Sequence, residues 1–293
     1  MPQTVFTRGG VMKLEVAKIA ELHVYPIKSC AGVRLQEARL TALGLEHDRF
    51  FMVVDAVTGA FLSQRECPRL CLVQPEIGQS ALSLSAPQMP VITVSLDCRS
   101  DERCVVGIWD ELCSGWDAGD LAAGWFSQFL DRQCRLIAYG DRTRQSSYFK
   151  KEIPVSFADG YPLLGVSRES LRYINSRITA GGGRAVPMNR FRPNIVFELG
   201  SNGRPYEEES INWDALFIGN RDVFLKPGPV CFRCALTLID QETGCRDSKG
   251  EPLRTIARFR QAPNGIVFGR YFMGKSNEGE DPAVLRVGDA VKL

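Results

Sequence analysis

Histidine is nearly missing from this chain of 293 residues, with His23 and His47 as the whole complement. That scarcity argues against His-rich zinc or non-haem iron chemistry and against a His-based nucleophilic triad. Long apolar runs are missing too. Stretches such as Phe50 to Val54 fall far short of the roughly 20 residues a bilayer-spanning helix needs. The opening MPQTVFTRGG lacks a signal peptide's apolar region. Nor is there an excess of one charge: 36 Lys and Arg face 34 Asp and Glu, so no global field draws in nucleic acid or an anionic membrane. These absences predict a cytoplasmic protein with neither nucleic acid nor membrane as its partner.

Cysteine, by contrast, is plentiful. The ten thiols at 30, 67, 71, 98, 104, 113, 134, 231, 234 and 245 are scattered through apparent strands and do not frame small loops. In a cytoplasmic chain this scatter reads as mostly reduced, buried thiols. The pair Cys231 and Cys234, in GPVCFRCALTLIDQETG, stands apart. Structural zinc needs four ligands, and the other close pair, Cys67 and Cys71, lies in the opposite half of the sequence. A thioredoxin-like redox pair belongs at a helix N-terminus, whereas ALTLID predicts a strand. One thiolate ligand to a soft metal needs only one of the two, held near a cation such as Arg233.

Residues 16–97 read as short strands with turn signals (VAKIAELHVYP, FFMVVD, CLVQPEI, SLSL, VITVSL), which suggests a small barrel or sandwich. In GDLAAGWFSQFLD, Leu121, Trp125 and Phe129 recur at helical spacing behind Asp120 as N-cap. A second helix follows Ser167, with Leu171, Ile174 and Ile178 on one face and the Gly181–Gly183 loop at its end. A third is expected over Leu253–Arg260. The segments RLIAYG, NIVFEL, LFIG, DVFLK, CALTLID, IVFGRYF, VLRVG and VKL read as strands. The expected fold is therefore α+β, predominantly β, with about three helices. A soft boundary near residues 98–115 separates units at 14–98 and 115–293, packed tightly because no Pro/Gly linker divides them.

Cations recur where strands begin or end. YPIKSC puts Lys28 and Ser29 in a turn suited to an oxyanion. DRFFMVVD puts Arg49 before a strand, and MNRFRPNIVF does the same with Arg190 and Arg192, followed by Asn194. Each alone reads as a solvated loop residue or surface cap. Together they can converge on one anionic ligand, because guanidinium groups bind phosphate and carboxylate bidentately. In SFADGYPLL, Asp159 fits an Asx-type turn equally well. The basic run RTRQSSYFKK, 142–151, reads as a solvated loop.

Taken in order, YPIKSC, LEHDRFFMVVD, SFADGYP, NRFRPNIVF, CFRCALTLIDQETG and EPLRTIARFR resemble the MOSC family. The likeness is to its long form, with an N-terminal β-barrel before the MOSC domain, which includes amidoxime-reducing and bacterial N-hydroxylated-base-reducing proteins. It runs from about residue 14 to residue 293. It implies a small N-terminal β-barrel packed on a MOSC β-barrel, and a molybdenum cofactor in its molybdopterin form. In the C-x-R-C-x-x-T pattern the second cysteine is the metal ligand, which maps to Cys234. Lys28, Ser29, Arg49, Arg192 and Asn194, with Arg190 beside them, match cofactor-holding positions, and Asp159 matches a segment lining the metal.

The implied reaction is reduction of N-hydroxylated compounds (hydroxylamines, amidoximes, N-hydroxy purines) to amines and water. Asp159 would orient a water or relay a proton. Electrons are expected from a separate flavoprotein, ferredoxin or haem protein. Phe232 stands where relatives often carry a small polar residue, which bears on pocket size. One rival is a molybdenum-cofactor binding or sulfur-carrier protein without turnover; another is a structural zinc or plain binding module. Pyridoxal phosphate would need a pocket lysine of depressed pKa, a place only Lys28 occupies, and is not the expected cofactor.

Overall fold

The computed structural model describes residues 14–98, 103–210, 213, 215–219, 223–275 and 283–293; the N-terminal extension at residues 1–12 lies outside them. Seven strands close into a barrel in the order Leu163–Ser167, Ile195–Leu199, Glu15–Val24, Ala290–Lys292, Leu216–Ile218, Val223–Arg233 and Gly265–Lys275, the last pairing with the first. The Glu15–Val24 strand therefore sits between two strands from the other end of the chain.

That first strand shows how the sequence fills the barrel. Its fully inward residues are Ala17 and Ile19, then Leu22 and Val24, a switch from odd to even positions. A register shift against Ile195–Leu199 falls between Ile19 and Glu21. An extra residue in a strand re-aims those that follow, so both apolar pairs point inward. Phe197 and Phe272 meet at 5.7 Å between ring centroids inside the barrel. Burying each contributes roughly 1.5–3 kcal/mol. Gly165 lets them meet, because a Cβ there would lie 2.6 Å from both rings.

A four-stranded antiparallel sheet lies beside the barrel, in the order Phe51–Asp55, Cys134–Asp141, Glu111–Asp117, Arg103–Ile108. Helix α1, Asp120–Leu130, packs between this sheet and a meander of Gln74–Ile77, Ala81–Ser85 and Ile92–Ser95. Helices α2, Arg168–Ala180, and α3, Leu253–Arg260, cover the barrel. The protein is predominantly β with three helices, as expected, and among the described residues no helix is long and apolar enough to cross a membrane.

The helices follow their expected spans with one local correction. Ser167 caps α2, accepting from the Ser170 amide, and Ile174 and Ile178 are buried. In α1 the N-cap is Gly119, not Asp120, and no side chain caps the helix. Leu121 is 65% exposed, and the inward face runs through Ala122, Trp125, Phe126 and Phe129. The anchor is Trp125, whose Nε1 donates to the Pro90 carbonyl at 2.7 Å and so sets the rotation of the helix.

Two further expectations fail. ALTLID is not a strand: Ala235–Leu238 forms a 3₁₀ turn. The buried Arg190 guanidinium takes the Leu238 carbonyl at 3.0 Å and Asp240 at 2.8 Å, which withdraws this backbone from any ladder despite its β-type residues. Nor is RTRQSSYFKK a solvated loop. Thr143–Ser146 and Lys151–Pro154 form a hairpin, and Arg142 is buried, donating to the carbonyls of Ser156 and Ala158.

Under α2 lies a fully buried carboxyl, Glu208. Its Oε1 accepts from the Ser167 amide and the Ser170 hydroxyl, while Oε2 has no partner. Burial raises its pKa, and those hydrogen bonds only partly oppose the rise. A raised folded pKa means stability present at low pH and lost as pH climbs from the unfolded carboxylate range toward the folded value. Glu208→Gln keeps the Oε1 acceptor and removes the titration. It is expected to gain roughly 2–4 °C in Tm against the parent at pH 8 compared with pH 5. Parallel melting curves at both pH values would refute this.

Candidate functional site

Three segments meet at one end of the barrel. The turn after Glu15–Val24 is tied down by the Lys28 amide donating to Phe51 O at 2.7 Å and the Arg49 amide donating to Tyr25 O at 2.8 Å. The Phe157 amide donates to Arg49 O at 3.0 Å, bringing in the Ser156–Gly160 segment. Ser29, Arg49 and Arg192 all adopt left-handed backbone, with φ of 70, 50 and 54. Such positions are uncommon outside glycine and cluster at functional sites.

The cavity they border has a volume of about 100 Å³. Lys28, Ser29, Arg49, Asp159, Arg192, Asn194 and Cys234 all line it. These seven come from five separate segments, each at a strand end or turn. Arg190 does not line it, since its guanidinium is committed to the 237–240 backbone and Asp240, where it shapes the loop that follows Cys234. Asn194 lines the cavity, yet its amide is engaged: Oδ1 accepts from the Leu164 amide at 3.1 Å and Nδ2 donates to His23 O at 3.2 Å.

The electrostatics are those of a buried cationic pocket. Lys28 donates to Phe157 O at 2.9 Å and to the Asp159 carboxylate. Burial pulls its ammonium below the usual range, and the Asp159 charge opposes that pull. Burial would raise the Asp159 carboxyl, but Lys28 outweighs it and holds the group at about 2. Arg49 and Arg192 stack on Tyr25, 4.3 and 4.1 Å from the ring centroid. Burial lowers Arg192 to about 10. Its Nη1 donates to Cys30 O at 2.6 Å, while its buried Nη2 has no partner.

The two cysteines differ sharply. Cys234 is exposed at the cavity, and Cys231 is buried. Cys231 Sγ lies 3.0 Å from Arg233 Nη1 and 3.2 Å from the Tyr271 hydroxyl. Arg233 also lines the cavity, and its buried Nε has no hydrogen-bond partner. Orphaned guanidinium N–H groups are donors prepared for an anion, because leaving them unmatched is costly. A phosphorylated pterin bearing a soft metal fits this lining: several cations, two of them with an unmatched N–H, beside one accessible thiol. Among the described residues no three or more His, Cys, Asp or Glu side chains gather into a metal site of their own.

Sequence comparison decides the family. Residues 16–133 match the MOSC N-terminal beta barrel domain and residues 152–292 match the MOSC domain. The chain belongs to the MOSC family. Mitochondrial amidoxime-reducing component 1 of Mus musculus is 36% identical over 95% of this chain and 83% of its own length. Its Homo sapiens counterpart is 34% identical, covering 98% and 86%. Molybdenum cofactor sulfurase of Solanum lycopersicum is 31% identical over 93% of this chain but only 35% of its own length. These relatives tie the MOSC protein to molybdenum-cofactor chemistry.

Several lining residues lie outside the motifs quoted above. Phe61, Arg65, Trp109 and Tyr271 reach the cavity from separate elements and share no spacing. Trp109 alone leaves a trace, as a bulky aromatic in a two-residue hairpin turn.

Proposed function

We propose that this MOSC protein is a molybdenum-cofactor-dependent reductase of N-hydroxylated compounds, converting R–NH–OH, two electrons and two protons into R–NH₂ and water. The observation that carries the reading is the meeting, in one cavity, of an exposed Cys234 thiol with the Arg49, Arg192 and Arg233 side chains. The printed names of the mouse and human relatives support the reaction class. When bound, the cofactor supplies the two-electron chemistry. Cys234 would hold the metal through sulfur. Arg49, Arg192 and Arg233 would neutralise the phosphate and pterin.

Lys28 fixes Asp159 at the mouth of the cavity. With its carboxyl held at about 2, Asp159 is ionised at working pH. It is placed to accept a hydrogen bond and so orient the substrate hydroxyl or a water, or to relay a proton. Electrons come from a separate carrier protein.

The test uses protein from a host able to make the cofactor, with metal and pterin content measured first. Near-stoichiometric molybdenum and pterin are expected, together with consumption of hydroxylamine or an N-hydroxy purine supplied with reduced methyl viologen. Stoichiometric zinc without molybdenum would overturn the cofactor reading. No consumption by molybdenum-replete protein would favour a cofactor-binding or sulfur-carrier protein without turnover.

A further inference from the structure

Strands Arg103–Ile108 and Glu111–Asp117 pair Ile108 with Glu111, leaving Trp109 and Asp110 as a two-residue turn. Such turns favour asparagine and glycine because their backbone needs positive φ. Here an indole takes that position, at φ 55. For a bulky residue this is a strained conformation, held only because its surroundings fix it. Asparagine would close the same turn with less strain, so the turn itself does not account for tryptophan.

The contacts of the ring do. Phe61 meets Trp109 edge-on at 4.8 Å between centroids, and the Arg65 guanidinium lies 4.4 Å from the indole. All three line the cavity. The Lys28 ammonium lies 5.3 Å from the Phe61 ring and 5.8 Å from the Trp109 ring, which puts this aromatic wall next to the Lys28–Asp159 pair. Despite that bracing, Trp109 remains 42% exposed, as does Phe232, which also lines the cavity. A fixed indole with open surface beside a cavity offers a planar ligand a stacking partner at little ordering cost.

We infer that Trp109, braced by Phe61 and Arg65, is a specificity-determining wall that stacks against planar heteroaromatic N-hydroxylated substrates and favours them over small aliphatic ones. The inference rests on the reductase reading and narrows its substrate class.

Wild type, Trp109→Ala and Trp109→Phe are compared on 6-N-hydroxylaminopurine and on hydroxylamine, with reduced methyl viologen as donor and with molybdenum and pterin measured in each. Trp109→Ala is expected to lose roughly ten- to a hundredfold more kcat/KM on the purine than on hydroxylamine, mainly through KM. Trp109→Phe should recover most of that. Independently of turnover, adenine should quench the tryptophan emission of wild type and not of Trp109→Phe. Equal losses on both substrates would overturn the inference. So would loss of molybdenum and pterin from Trp109→Ala, which would assign the ring to the cofactor. If replete wild type turns over neither substrate, the reductase reading fails, while the emission measurement still decides whether Trp109 stacks on a planar ring.

Discussion

Cys234→Ser is expected to bring reduction of N-hydroxylated substrates to background, while Cys231→Ser keeps most of it. The two thiols sit three residues apart, but the structure gives them different tasks. Cys234 is open to the cavity, and Cys231 is buried between Arg233 and the Tyr271 hydroxyl. A serine hydroxyl at 234 is a hard, protonated donor and replaces a soft thiolate poorly. The loss should exceed the roughly 10–100-fold that removing an outer partner of a metal ligand brings. At 231 a serine still accepts from Arg233 and reaches Tyr271, so activity should stay within about tenfold of the parent. Steady-state rates normalised to bound molybdenum provide the check, and equal losses in both variants would contradict the assignment of Cys234.

The second large effect concerns Arg192. It is 7% exposed, with one amino group on Cys30 O and the other unmatched. A buried guanidinium with an unmatched N–H costs stability in the cofactor-free protein, and a bound anion would offset that cost. Arg192→Met is therefore expected to leave the cofactor-free Tm unchanged or raised. Cofactor retention should fall about 10–150-fold, the equivalent of one charge-assisted hydrogen bond of about 1.5–3 kcal/mol. The rise in Tm that wild type shows on loading should shrink accordingly. Molybdenum content and melting curves of loaded and cofactor-free protein test both halves. A variant that loads like wild type would remove Arg192 from the binding site.

Much of the cavity was legible in the sequence because its cations sit where strands give way to turns. Lys28, Arg49 and Arg192 each stand beside Pro, Asp or Asn signals that mark such ends, and chain direction does the rest. Backbone handedness at Ser29, Arg49 and Arg192 was not legible, since no glycine announces it. The misread ALTLID stretch shows a different limit. Its β-type residues are outvoted by Arg190, 45 positions before Ala235, whose hydrogen bonds curl the segment into a turn. Leu121 was misplaced because apolar spacing alone admits two neighbouring faces, and the Trp125 bond to Pro90 selects between them. The Arg65 and Trp109 wall arises from tertiary contact between segments that share no pattern.

The position of the Glu15–Val24 strand, flanked by Ile195–Leu199 on one edge and Ala290–Lys292 on the other, has a consequence for synthesis. A ribosome makes this stave before either neighbour. The ring cannot close until both have followed. The lysine that follows the first stave belongs to one matched segment and the sulfur at 234 to the other, so neither segment expressed by itself holds a whole pocket.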